Sequence, residues 1–222
     1  MGEKVVKPAR RRTPRNPEAT REVILEAART IIAEEGLEGL SVSAVAQAAR
    51  VNRGTAYLHF ENREQLVAQT IASVSEILLR SVYGVYADQV EAAPEDIDQI
   101  ALAEGLANFA MSNPDLCRVW LLQVMASPDP SSDPFFRKYI GYLQKFAQTP
   151  LAQRGVDTEV LAVLVLAGTF LWPIWAHGSS LDEAARKQAA SRFSHELMRL
   201  SLYGSMVADR LPEVVSKVSG SA

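Results

Sequence analysis

Apolar residues recur along this chain every three or four positions, the period of helices with one buried face. In the first segment the inward positions are Ile24, Ala27, Ala28 and Ile31; in the second they are Val42, Val45, Ala46 and Ala49. A longer segment carries Leu66, Ile71, Val74, Ile77 and Leu78. Each is preceded by a start signal. Asn16 caps the first helix, with Pro17 at its first position and Glu18 at the positive end of its dipole. Gly36 closes it. Ser41 caps the second. After the turn Arg50-Val51-Asn52, Asn52 caps a helix of about two turns from Arg53 to Phe60, and Asn62 caps the next, with Glu64 and Gln65 in its first turn.

The same punctuation continues downstream. Pro94 with Glu95, Asp96 and Asp98 opens a helix reaching about Met111, and Asn113-Pro114-Asp115 caps another that carries Trp120 and Met125. The prolines between Ser127 and Pro134 impose a loop. Helices are predicted from Pro134 to about Gln148, from Asp157 to His177 with an interruption or kink at Pro173, and from about Leu181 past Leu202. No alternating strand pattern and no internal repeat is visible. The expected fold is all-α, with a three-helix head at 16–63 and a larger helical body at 64–222.

Composition narrows the class. The 222 residues are 48% hydrophobic, ordinary for a globular chain. The longest apolar run, Val160 to Trp175, contains Gly168, Thr169 and Pro173 and is read as falling short of a clean membrane span. The basic N-terminus does not read as a secretory signal, and one cysteine, Cys117, allows no intrachain disulfide, so a cytoplasmic protein is expected.

The net charge of −3 conceals an asymmetry. Up to Arg15 there are six basic residues and one acid, whereas from Glu64 onward 12 basic residues face 18 acidic ones. Residues 1–15 read as a disordered basic arm suited to a polyanion. Within it, Arg10, Arg11 and Arg12 are placed to enter a minor groove or add unspecific attraction.

The second and third helices carry the clearest chemistry. Two short helices at a wide angle, braced by a third, can present one helix outside the core, and the DNA major groove, about 12 Å wide, admits it. On that helix Arg53 suits a guanine edge or phosphate, and Thr55 a base edge or thymine methyl. Tyr57 and His59 suit phosphates. Gly54 permits close backbone approach, while Ala56 and Phe60 face inward. Ser43 and Arg63 are placed to hold flanking phosphates. A run of such residues alone would be an ordinary solvated face; the surrounding order of caps and apolar faces makes it a helix-turn-helix.

Quoted in order, REVILEAARTIIAEEG, SVSAVAQAARVN, RGTAYLHF and NREQL resemble the N-terminal domain of the tetracycline-repressor (TetR) family of bacterial transcription regulators, over Thr20 to Val67. The resemblance implies an all-helical homodimer that binds a palindromic operator in double-stranded DNA, with a C-terminal domain for an effector. Three residues depart from the family pattern. Arg50 stands where glycine usually opens the turn, at a cost of about 1 kcal/mol or somewhat more if φ is positive. Ala56 replaces a larger apolar residue, and Leu58 a polar one.

For the body, the resemblance places the dimer surface on the last two long helices, at Leu166 and Leu171 on one and Phe193, Leu197 and Leu200 on the other. Ala162, Gly168, Ala189 and Leu202 accompany them. Aromatic and soft residues are candidates to line an effector pocket: Phe109, Trp120, Met125, Tyr139, Tyr142 and Phe146, then Phe170, Trp172 and Trp175 on the apolar run. His177, Gln123 and Cys117 would supply polar groups. With no cluster of charge among them, a small apolar or aromatic effector is expected.

The resulting expectation is a ligand-responsive repressor, released from DNA when its effector binds; an activator or an effector-independent regulator is the alternative. An enzyme is not expected: Cys117 has no nearby histidine, and His59, His177 and His195 lack metal-ligand spacing. No cofactor, metal or membrane partner is expected.

Overall fold

The computed structural model describes residues 16–84 and 93–219. Among them are ten α-helices: α1 (Pro17–Glu35), α2 (Val42–Ala48), α3 (Arg53–His59), α4 (Arg63–Tyr83), α5 (Gln99–Ser112), α6 (Pro114–Met125), α7 (Pro134–Phe146), α8 (Thr158–Trp175), α9 (Glu183–Gly204) and α10 (Pro212–Ser219). The arm with Arg10, Arg11 and Arg12 lies outside the described residues.

The four start signals of the head are occupied as expected. The side-chain oxygens of Asn16, Ser41, Asn52 and Asn62 accept the N–H groups of Glu18, Ala44, Gly54 and Gln65 at 2.8–3.1 Å. Each satisfies a donor that the first turn leaves orphaned. Gln65 also reaches back to accept Glu61 N–H at 2.6 Å. Gly36 closes α1 with φ +72°.

Downstream, several boundaries shift. Pro94 begins a single 3-10 turn, Pro94–Asp96, and α5 starts only at Gln99, where Asp98 accepts two N–H groups. Asn113 does not cap α6 with its side chain; its Nδ2 donates back to Phe109 O at 3.0 Å and closes α5. Helix α7 stops at Phe146. Helix α8 passes through Pro173 and ends two residues later, and His177 takes a left-handed φ of +54°. Helix α10, with Pro212 and Glu213 at its start and Lys217 in its last turn, lies beyond the last predicted helix.

One continuous apolar core crosses the head–body boundary, from Ile24 and Leu25 of α1 to Phe135, Leu166 and Phe170. Helix α4 belongs to both parts, burying Leu66 in the head and Leu78 in the body. Helix α1 packs against α6 as well as α2 and α4. Arg29 of α1 donates to Ser73 Oγ of α4 at 3.0 Å and pairs with Glu22, and Arg21 donates to Gln69 at 2.8 Å. A second, smaller core gathers Phe146, Ala152, Met198, Leu202, Met206 and Val214 around the C-terminal segment.

Helix α8 is apolar nearly all round, and by length and composition it is able to cross a membrane. That corrects the expectation that this run falls short of a clean membrane span; the helix includes Gly168, Thr169 and Pro173.

Candidate nucleic-acid interface and body cavity

The head presents α3 at its surface on two buried anchors, Ala56 and Phe60. Arg53, Gly54, Tyr57 and Leu58 are exposed, Thr55 and His59 half-buried. Leu58 is the most exposed large apolar residue described, at 87%, so it stands on the outer face. A Cβ on Gly54 would sit 3.3 Å from the capping Asn52 Oδ1, so glycine here keeps both the cap and the surface clear.

The turn between α2 and α3 departs from glycine in identity only. Arg50 has φ +54°. Its N–H donates to Gln47 O at 3.1 Å, and Val51 N–H donates to Ala46 O at 3.0 Å. These are the paired bonds of a Schellman ending, with arginine in the position glycine favours. Val51 packs on the core, completing the motif, and the Arg50 side chain is exposed in the turn before α3.

Ser43 lies half-buried near the start of α2. Arg63, expected to hold a flanking phosphate, has a structural task that sequence reasoning misses. Its Nε donates to Leu40 O at 2.9 Å and its Nη2 to Leu37 O at 2.6 Å, tying α4 to the α1–α2 loop. This explains how a short turn between α3 and α4 holds its angle.

The residues expected to line one pocket fall in three places. Trp120, Phe109 and Phe170 are core: Trp120 is wholly buried and packs edge-to-face on Phe135 and Phe170, with ring centroids 5.4 and 5.3 Å away. Met125 packs against the same core, and Cys117 is buried within it, where burial pushes its thiol well above the usual range. Gln123 instead lines an open groove between head and body, with Arg63, Glu64 and Asp133. Trp172, Trp175 and His177 line an open cleft on the far side of α8, the two indoles stacked 5.2 Å apart. Of the expected residues, only Tyr139, Tyr142 and Phe146 border the cavity of about 60 Å³ that lies between α5, α7, α8 and α9.

That cavity also takes in residues that sequence reasoning misses: Gln99, Met198, Ser201, Ser205 and Met206. The only signal for them is a polar residue on an apolar helix face. Tyr142 donates its hydroxyl to Gln99 Oε1, and Gln99 Nε2 donates to Pro94 O at 3.0 Å. Burial holds the Tyr139 and Tyr142 phenols well above their usual titration range, so both stay neutral donors.

The interface residues need correction too. Leu166 and Ala162 are buried within the chain against the main core, and Leu197 borders the cavity. Phe193 is half-buried, its ring tilted against Trp172 with centroids 5.4 Å apart. Leu171 and Leu200 are exposed as expected, but the outer face of α8 is formed instead by Val160, Val163, Leu164, Ile174 and Trp175, with Tyr203 on α9. The physical reason is that an all-apolar helix offers no polar side to mark its outside, so its inward residues cannot be told from its outward ones.

Comparison with known proteins agrees with this architecture. The family model for bacterial regulatory proteins, tetR family, matches residues 24–70, which spans α1 after its first turns, α2, α3 and the start of α4. The HTH-type transcriptional repressor KstR2 of Mycolicibacterium smegmatis is 27% identical over 88 residues, 40% of this chain and 41% of that protein. The match therefore spans about two-fifths of that relative. Among solved structures, a gamma-butyrolactone receptor (ArpA-like protein) superposes with a TM-score of 0.60 at 20% identity, covering 91% of this chain and 96% of that one. The ketosteroid transcriptional regulator KstR2 of Mycobacterium tuberculosis gives 0.55 at 16% identity, covering 84% and 94%. A capped helix-turn-helix lies under the family match, so residues 24–70 are similar to the DNA-binding domain of bacterial regulatory proteins of the tetR family, and the helical body behind it shares the fold of these solved structures.

Proposed function

We propose that this protein is a ligand-responsive transcriptional repressor that binds a palindromic operator as a homodimer in the cytoplasm. The observation that carries the reading is α3 itself. It is a short helix capped by Asn52, pinned by Ala56 and Phe60, with Arg53, Tyr57 and Leu58 directed outward and Thr55 and His59 beside them. Arg53 and Thr55 reach base edges, Leu58 meets a thymine methyl, and Tyr57, His59 and Ser43 hold phosphates. Arg10, Arg11 and Arg12 add attraction from the arm.

One such helix reads only a few base pairs, so two are needed about 34–36 Å apart or at a related spacing. The outward apolar face of α8 with Tyr203 of α9 supports pairing: Trp175 and Tyr203 are 69% and 80% exposed in the single chain. A face of this kind marks an interface in a protein that is not embedded in lipid. Two structural neighbours carry a gamma-butyrolactone and a ketosteroid in their names, and both are largely apolar molecules carrying oxygen. An effector of that kind suits the neutral lining of the body cavity, and by binding one arrangement of the dimer it would lower operator affinity.

The test uses duplexes selected by the protein from a random DNA pool. Arg53→Ala with Tyr57→Phe should weaken binding and flatten the salt dependence by about 0.9 log–log units for each phosphate the variant no longer neutralises. Unchanged affinity and salt slope would remove α3 from the interface. Arg63→Ala is unsuited to this test, because it also cuts the ties to Leu37 and Leu40.

A further inference from the structure

The body cavity is too small for the work the proposed function asks of it. Sites for drug-sized ligands measure about 300–1,000 Å³, whereas this one measures about 60 Å³. An effector of that size fits only if a wall moves. Three sides are long helices, α5, α7 and α8, each held by its own backbone bonds. The fourth combines α9 with the chain after it, where Ser205 and Met206 border the cavity.

That C-terminal strap, residues 205–217, is held apart from the main core by one backbone bridge and by a small apolar cluster, in which Met206 and Val214 are buried and Ala208, Leu211 and Val215 pack beside them. Ala152 and Met206 form an isolated antiparallel bridge. Gln153 N–H donates to Ser205 O at 2.9 Å and Val207 N–H to Leu151 O at 2.7 Å. Gln153 Nε2 adds a bond to Met206 O at 3.1 Å. On the apolar side Met206 and Val214 lie against Phe146 and Leu202, in a cluster separate from the main core. Lys217 and Asp98, both largely exposed, approach at 3.9 Å, a surface pair of small worth. Segments with few ties open at lower free energy than the helices around them. Two methionines, Met198 and Met206, let the wall repack around different shapes.

We infer that the 205–217 strap is the gate of the effector site, opening at the Ala152–Met206 bridge to admit an uncharged, mostly apolar molecule with one or two oxygens. The class follows from the lining. Its polar groups are an amide, two phenols and two serine hydroxyls, and no charged side chain borders the cavity among the described residues. This inference rests on the effector-binding half of the proposed function.

The bridge geometry supplies the test. Bonds from 153 to 205 and from 207 to 151 make Ala152 and Met206 a non-hydrogen-bonded pair, with Cα atoms about 4.5 Å apart, within disulfide reach. The chain's single cysteine, Cys117, is buried and does not interfere. In Ala152→Cys with Met206→Cys, oxidation should lock the strap. The probe is the neutral aromatic ketone Prodan, whose emission shifts on leaving water. The parent and the reduced variant should take up Prodan, and the oxidised variant should lose that uptake and regain it on reduction. Gln153→Ala, which removes one tie, should speed uptake roughly two- to tenfold. Equal uptake by oxidised and reduced protein, or no acceleration in Gln153→Ala, overturns the gate. Absence of uptake by the parent overturns the ligand class. Binding to the selected duplexes, measured on the same samples without Prodan, reports separately on the regulator reading; loss of DNA binding in the parent would sink that reading and leave the gate to the uptake data.

Discussion

Trp120 donates its indole N–H to the Ser75 hydroxyl at 2.7 Å, deep between α6 and α4. Ser75 in turn donates to Asp133 Oδ2, whose other oxygen accepts Phe136 N–H at 3.0 Å and caps α7. The helix that starts in the DNA-binding head is thereby tied to two helices of the body through one buried hydroxyl. Ser75→Ala leaves Trp120 only its 3.3 Å approach to Asp133. An imperfectly satisfied buried donor costs about 1–3 kcal/mol. Thermal unfolding should register it as a fall of about 2–4 °C per kcal/mol for a chain of this size. A melting temperature unchanged from the parent would mean that water replaces the hydroxyl.

Arg50 is the residue where local backbone cost and surface chemistry conflict. Its φ of +54° favours glycine, and its side chain is exposed two residues before the cap of α3. Arg50→Gly should relieve about 1 kcal/mol of left-handed strain, partly offset by the greater freedom of an unfolded glycine. The expected result is equal or slightly higher stability in denaturant, together with weaker DNA binding and a shallower salt slope. If DNA binding is unchanged while stability rises, arginine has no role at the interface.

The contrast between head and body shows which physics is legible in a sequence. The caps at Asn16, Ser41, Asn52 and Asn62 act on donors two or three residues away, so they can be read locally. The inward positions of α1 and α2 stand out because polar residues mark their other sides. Helix α8 lacks that contrast, and Leu166 cannot be told from Leu164 by type or spacing; one is buried and the other 65% exposed. Trp120 reads as a pocket residue because a large aromatic suits either a ligand or a core, and only the position of Ser75, 45 residues earlier, decides between them. The cavity is built from ends of four helices and a strap, a juxtaposition that no local pattern encodes.

The exposure of Leu164 yields a direct test of assembly. Leu164→Glu places a charge in the middle of the outer α8 face without touching the main core. Sedimentation should show the parent as a dimer and the variant shifted to monomer, with helical content retained. Because one recognition helix covers few base pairs, operator affinity should fall with dimer content. A variant that remains dimeric would move the interface away from α8.

Alkaline titration tests the buried phenols on their own terms. Tyr83, Tyr139 and Tyr142 all have their titration raised, in each case chiefly by burial, and the Tyr142 bond to Gln99 only partly counters it. An unfolded chain releases phenol protons near pH 10, while the folded protein still holds these three. Above about pH 10 the unfolded state therefore binds fewer protons, and stability falls as pH rises, by up to about 1.4 kcal/mol per phenol per pH unit. Below that pH the phenols contribute no slope. Denaturant midpoints measured from about pH 9 to about pH 11 should decline across the window, and Tyr142→Phe should flatten the decline by one phenol's share. An identical slope in the variant would place Tyr142 in contact with water, and with it the wall of the cavity that Tyr142 shares with Gln99.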